Sequence, residues 1–411
     1  MNVQELHRKH TRRRSILVTA AVIGIVGVGL ALWQIGALVL PVQEQATTNP
    51  APHTTVTPTT KSVESKVLVM GDMYWGRQVN AWSQASSLKY AYPFQSLGEF
   101  NRSAYDAWIA NMECPITNNP KVSAAVEEAT LKFDCSPSYL TEAKKWFTAV
   151  SLGNNHTDNQ GISGFAETKQ HLNENGIQYF GSYDANDSTN VCDVISLPAR
   201  IALSDGTTKE GTLPLVWCGY DGVFRTPNEQ SIAATAKYAS LFGVIVMPHS
   251  GAEYKAEPDA IKTTFYRTLI NNGADVVLGG HPHWVQSTEA YRGKLIVYSL
   301  GNFIFDQLRD GELTRGALIS MSVIVDAAAA PDIDKWLALG ETCGAYADDC
   351  LAKATEEGLT KLPLQYHFAV LGSRDDTKVT HRASETELAG ILQRMNWQET
   401  IQGLSGNSSG E

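Results

Sequence analysis

Between Ala274 and Trp284 the chain reads Ala-Asp-Val-Val-Leu-Gly-Gly-His-Pro-His-Trp, a short apolar run that stops at two glycines and a pair of histidines. Neutral imidazole is the commonest metal ligand among protein side chains. On an extended backbone His281 and His283 would face opposite ways. In a Gly-Gly-His-Pro-His turn both rings can converge on one point or on two adjacent ions. Such a pair also occurs as ordinary surface histidines, so the rest of the chain has to decide.

Four earlier segments end in the same manner. Lys66 to Met70 is a short apolar run closing on Gly71-Asp72, and Ala107 to Met112 closes on Glu113. Ala149 to Leu152 leads into Gly153-Asn154-Asn155-His156-Thr157-Asp158, and Phe242 to Met247 leads into Pro248-His249 and on to Glu253-Tyr254. Short β-branched runs punctuated by Gly, Asn and Pro read as buried strands opening into loops. Each loop has a plainer reading: an Asx turn at Asp72, left-handed turn residues at Asn154 and Asn155, a loop cap at His249. Their joint placement at strand ends favours chemistry.

Asp72, Glu113, Asn155, His156, His249, His281 and His283 offer oxygen and nitrogen but no thiolate. That set suits Mn²⁺, Fe or Zn²⁺ and is too large for one ion, so two divalent cations are expected. A pair ~3.5–4 Å apart needs a bridging carboxylate, and it lowers the pKa of a water held between the ions toward neutrality. Glu113 is the expected bridge. His156 is the expected acid for a leaving oxygen, with Asn155 holding its loop against a metal. Arg77, Asp158, Glu253 and Asn302 are expected around this set, orienting ligands or touching substrate.

Strands alternate with helical patterns, at Gly164 to Asn175 and at Asp259 to Asn272, the latter with Ile261, Phe265, Leu269 and Ile270 near helical spacing. This alternation indicates an α/β sheet, whose ligands gather at the C-terminal edge of the strands. Further on, Asp326 to Gly358 reads as helical, Pro363 to Leu371 as a strand, Glu385 to Trp397 as an amphipathic helix, and 401–411 as a disordered tail.

The 411 residues begin differently. Residues 15–40 are 26 consecutive positions without a charge, about 39 Å as a helix, enough to cross a hydrocarbon layer of about 30 Å with tilt. The basic segment 1–14, with Arg8, Lys9, Arg12, Arg13 and Arg14, places the N-terminus in the cytoplasm and the chain beyond Leu40 outside. An uncleaved membrane anchor is expected, with a cleaved signal peptide as the alternative. Residues 41–62 are rich in Thr and Pro and read as an extended stalk reaching roughly 68 Å. The domain proper is expected over 63–400.

Of the 33 basic and 43 acidic residues, five and one lie in the first fourteen positions, leaving a net charge of −14 beyond them. Such an exterior is a poor partner for nucleic acid or an anionic membrane surface. Six cysteines lie in that same part, an even number that favours disulfides in an oxidising space. Sequential pairing is expected (Cys114 with Cys135, Cys192 with Cys218, Cys343 with Cys350), with buried free thiols as the alternative.

The series Gly71-Asp72, Asn111-Met112-Glu113, Asn154-Asn155-His156-x-Asp158-x-x-Gly161, His249-x-Gly251-x-Glu253-Tyr254, Gly280-His281-Pro282-His283-x-x-Gln286 and Tyr298 through Asp306 resembles the successive signatures of the CapA-type poly-gamma-glutamate capsule biosynthesis family. That family belongs to the calcineurin-like metallophosphoesterase superfamily. The resemblance implies a four-layer α/β/β/α sandwich with a dinuclear metal centre. By motif, Asp72 and His283 would hold the first metal, Asn155, His249 and His281 the second, Glu113 both, and His156 would be the acid. It also implies work on poly-gamma-glutamate or another envelope polymer, beside membrane synthase subunits. The superfamily usually opens with Asp-x-His, where this chain has Asp72-Met73-Tyr74, leaving the first metal one imidazole short.

Overall fold

The computed structural model describes residues 57–118, 120, 123–343 and 346–406. The expected membrane span 15–40, the basic segment before it and residues 41–56 of the expected stalk lie outside the described residues. Among the described residues no helix is long and apolar enough to cross a membrane.

Thr57–Glu411 clusters as one compact unit with a mixed α/β architecture built on a connected fourteen-stranded sheet. Its central strand, Thr60–Met73, does two jobs. The first half pairs antiparallel with Cys192–Leu203 and Arg315–Asp326, and the second half pairs parallel with Ala107–Met112. From Ala107–Met112 the parallel run continues through Ala149–Ser151 to Gln178–Phe180. A second parallel run joins Thr208–Gly222, Val244–Ser250, Val276–Leu278 and Lys294–Val297. Parallel strands present their C-terminal ends to the same side, so the loops beyond them meet at one rim.

Register delivers the polar residues to that rim. Asp72 lies opposite both Asn111 and Asn302, Asp221 lies opposite His249, and a single bridge joins His249 to Gly280. The central strand bulges near Asp72, where its backbone passes that of Gly301. A Cβ at Gly71 would stand 1.9 Å from the Gly301 carbonyl oxygen, so no other residue fits there.

Helices cover the sheet as their apolar spacing dictates. Ala260–Asn271 buries Phe265, Tyr266, Leu269 and Ile270, starts where Asp259 accepts the Lys262 backbone N–H at 2.8 Å, and stops before Gly273 at φ +95°. A cap of this kind contributes about 1 kcal/mol, while emptying Leu269 to alanine in this packing would cost about 2–5 kcal/mol.

Several sequence boundaries need correcting. The strand starts at Thr60, inside the expected stalk, because Thr60 and Ser62 already pair with Leu203 and Ala202. The stretch from Asp326 to Gly358 is two helices, Ile333–Thr342 and Ala347–Glu356, preceded by a strand that runs through Asp326. The polar end of the chain is helical over Trp397–Gly406. Trp397 and Leu404 pack on the core, and Thr400 Oγ1 accepts from Thr288 Oγ1 at 2.8 Å. The three disulfides are Cys114–Cys135, Cys192–Cys218 and Cys343–Cys350, the sequential pairing.

Candidate metal centre

Glu113 sits just past the strand Ala107–Met112 with no solvent exposure, and neither of its carboxylate oxygens has a hydrogen-bond donor. Around Oε1 stand three imidazole nitrogens: His249 Nε2 at 3.5 Å, His283 Nε2 at 3.9 Å and His156 Nε2 at 4.0 Å. Asp72, on the neighbouring strand, lies 3.5 Å from His249 Nδ1 and 3.6 Å from His283 Nδ1.

Two overlapping triads result. Glu113, His249 and His281 place ligand atoms within 4.8 Å of one another, and so do Asp72, Glu113 and His283. Glu113 is common to both. His281 thus joins His249 while His283 joins Asp72, so the two histidines of the turn serve adjacent positions.

The turn reaches this arrangement through unusual backbone. His281 has φ +91° and His283 φ +58°, conformations that cost non-glycine residues of order 1–3 kcal/mol each and cluster at functional sites. Gly280 makes room, since a Cβ there would lie 2.6 Å from Asp72 Oδ1 and 3.1 Å from His249 Nδ1.

A buried polar atom without a partner forfeits about 1–3 kcal/mol, more when charged. At the triads the orphaned atoms are Glu113 Oε1 and Oε2, His249 Nε2 and His281 Nδ1, and Asn155 Oδ1, in the loop that lines the cleft with Asp158, is orphaned as well. They are all donors suited to a divalent cation and belong to the residues expected from the sequence. The residues present therefore fit a bound divalent metal.

Supporting contacts fix the ligands. Asn302 Oδ1 stands 2.9 Å from His283 Nδ1, which turns Nε2 toward Glu113. Asn111 Nδ2 donates to Asp72 Oδ1 at 2.9 Å and lies 3.2 Å from His249 Nδ1. Asn154 donates to Asn111 Oδ1 and the Met112 carbonyl, and accepts from the His156 and Thr157 backbone. Asn154 is therefore a clamp rather than a turn residue. His156 stacks on Phe133, with centroids 3.9 Å apart, and its Nδ1 meets Asn159 Oδ1 at 2.9 Å.

Electrostatics follow from burial and pairing. Burial would raise the Asp72 carboxyl, but His249, His283 and Asn111 hold it well below the usual carboxylate range. Burial would depress His249, yet Glu113 and Asp72 push it up to about 10. His281 falls well below the ordinary imidazole value through burial and the other two histidines. Burial also lowers His156.

The remaining sequence candidates sit farther out. Arg77 does not face the triads: it pairs with Asp306 at 2.6 Å and its guanidinium lies 4.9 Å from the Phe133 ring. Asp158 is exposed and, with Asn155, lines a cleft of about 260 Å³ that also takes in Tyr183, Asp221 and Arg225. Glu253 is partly exposed beside Tyr254. Tyr74 turns away from the metal donors and gives its hydroxyl hydrogen to Glu127 at 3.0 Å, so it does not replace the missing imidazole.

Three residues at this site escaped the sequence reading. Asn111 was legible, two positions before Glu113 and hence on the same strand face. Asp221 ends a long strand, and burial pushes its carboxyl up to about 6. Lys262 gave no signal: it is 2% exposed, its Nζ donates to the Gly280 carbonyl at 3.4 Å, and burial lowers it to about 7.

Comparison with known proteins agrees with the motif series. The profile of the family described as "Bacterial capsule synthesis protein PGA_cap" matches residues 66–307. The "PGA biosynthesis protein CapA" of Bacillus subtilis (strain 168) is 27% identical over 267 residues, covering 61% of this chain and 67% of that protein. The "Capsule biosynthesis protein CapA" of Bacillus anthracis is 24% identical over 251 residues, covering 58% of this chain and 59% of that one. The matched stretch thus spans about two thirds or less of these relatives. A crystal structure titled for TT1561 of Thermus thermophilus aligns with 66% of this chain and 96% of that one at 12% identity; its TM-score of 0.32 is too low to bear on the fold.

Proposed function

The chain belongs to the bacterial capsule synthesis protein family, and from this premise we propose that it is a metal-dependent hydrolase of the metallophosphoesterase type. It is anchored by residues 15–40 and acts outside the membrane in the assembly of poly-gamma-glutamate or another envelope polymer, beside membrane synthase subunits. The full four-layer sandwich of that superfamily is part of the same proposal.

The observation that carries it is Glu113, fully buried with both oxygens unpartnered at the junction of two donor triads. Glu113 would bridge two cations of Mn, Fe or Zn. Asp72 and His283 would hold the first, and His249, His281 and Asn155 would hold the second. Such a pair would neutralise charge on a phosphoryl or acyl oxygen and lower the pKa of water. The protein supplies the rest. His156, held between Phe133 and the carboxylate, passes a proton to the leaving oxygen. Asn302 keeps His283 turned inward, and Asn111 and Asn154 fix Asp72 and the His156 loop.

A second reading is favoured by one observation: Tyr74, which by motif replaces the usual imidazole, gives its hydroxyl hydrogen to Glu127, so the first metal would be a ligand short. On that reading the metal pair binds a carboxylate-rich polymer without cleaving it. The two separate by assay. The Mn²⁺-loaded protein should hydrolyse an aryl phosphodiester and His156→Ala should lose roughly 10²–10⁴-fold of that rate. Equal background rates in both would establish the binding role instead.

A further inference from the structure

We infer that Asn159, outside the donor set, is a positioning residue that fixes the tautomer of His156 and so makes Nε2 the only ring nitrogen exchanging protons with the metal site. The inference rests on the reading of His156 as the proton-transfer group.

A single histidine–asparagine contact is ambiguous, because the amide can be turned and neutral imidazole can carry its hydrogen on either nitrogen. Here a second contact removes the ambiguity. The Asn159 atom 2.9 Å from His156 Nδ1 also lies 2.8 Å from the Phe133 backbone nitrogen. A backbone N–H only donates, so that atom is the carboxamide oxygen. An amide oxygen only accepts, so His156 Nδ1 must carry the hydrogen. The amide nitrogen, on the other branch, points at the Asn155 carbonyl at 3.5 Å, which is consistent in polarity.

Nε2 is then left with a lone pair 4.0 Å from Glu113 Oε1. There it takes a proton as an O–H bond of the attacking water breaks. It returns that proton as the leaving oxygen departs, so the ring ends as it began. Turning the ring over would set a C–H against a partly buried amide oxygen. It is also resisted by Phe133, stacked at 3.9 Å and tied through its own carbonyl to Gln160 Nε2 at 3.0 Å.

The test is a ¹⁵N spectrum of the full-length protein labelled at histidine, without added metal, at about pH 8 where ordinary imidazole is neutral. His156→Gln identifies the signals. The wild type should show a protonated Nδ1 and a bare Nε2. Asn159→Ala should populate the other tautomer and lower hydrolysis about ten- to a hundredfold with metal content unchanged, and Asn159→Asp should restore both. A protonated Nε2 in the wild type, or an unmoved tautomer in Asn159→Ala, would overturn the inference. Should Asn159→Ala fail to fold, the wild-type spectrum still decides. The spectrum needs neither cation nor turnover. The inferred tautomer without any hydrolysis would therefore sink the catalytic reading and leave the positioning role standing.

Discussion

Two clusters of buried charge lie one aromatic ring apart, and they differ in a single respect. In the cluster of Tyr74, Arg77, Glu127 and Asp306, each charged group is met by protein. Glu127 accepts from the Tyr74 hydroxyl and the backbone of Arg77 and Asp134, and Asp306 takes two bonds from Arg77 and one from the backbone of Gln78. In the cluster of Glu113, His249 and His281, the facing atoms make no hydrogen bond: His249 Nε2 stands 3.5 Å from Glu113 Oε1, and neither atom has another hydrogen-bond partner. Phe133 touches both, stacked on His156 and lying under Arg77. Burial of charge therefore does not mark a ligand site. What marks it is the convergence of unpartnered carboxylate and imidazole atoms on one point, where a cation can satisfy them together.

The contrast predicts opposite responses. Asp306→Ala leaves the Arg77 guanidinium with only the exposed Glu128 carboxylate at 3.4 Å and should cost up to about 3–5 kcal/mol of stability, read by denaturant unfolding, while bound metal per folded chain stays unchanged. Added Mn²⁺ at about 100 times its dissociation constant should stabilise the wild type by roughly 2.7 kcal/mol. Glu113→Gln should abolish that shift and, because His249 keeps Asp72 as a charged partner at 3.5 Å, should cost the metal-free protein less than Asp306→Ala does. A Glu113→Gln protein as unstable as Asp306→Ala would erase the distinction.

Smaller effects sharpen it. Asn302→Ala frees the His283 ring and should weaken metal affinity about ten- to a hundredfold by titration, leaving the Arg77 cluster intact. Acidity should act on one cluster only. In the metal-free protein His249 holds a proton up to about pH 10, and binding a cation must expel it. Affinity should therefore rise with pH by about tenfold per unit through the neutral range, with proton release visible as buffer-dependent heat. In the metal-free protein the same raised pKa adds stability that is fully present below the unfolded value of about 6.5 and lost as pH rises through about 10.

Much of the site was legible because its residues lie at strand ends, where a short apolar run announces the strand and a polar residue closes it. Asp72, Glu113, His249, His281 and His283 all obey that grammar. Residues whose role depends on distant partners were not legible. Lys262 reads as an ordinary helix lysine and becomes a buried donor only because Gly280 packs above it. Asn159 gains its meaning from Phe133, twenty-six positions away in the chain. In the fold, the parallel strands were readable from apolar runs. The long hairpin of Cys192–Leu203 and Thr208–Gly222 was missed, although Asp205-Gly206 offered a turn signal, with Gly206 at φ +87°. The C-terminal helix was hidden because tertiary contacts at Trp397, Thr400 and Leu404 order a sequence of weak local preference.

The most direct test is elemental analysis of the purified full-length protein after exposure to Mn²⁺, Fe²⁺ or Zn²⁺ and removal of unbound ions. Two equivalents per chain in the wild type, falling to one or none in Glu113→Gln, are predicted. A wild type that retains no cation, or a Glu113→Gln protein that retains as much as the wild type, would contradict a shared carboxylate at the heart of the site.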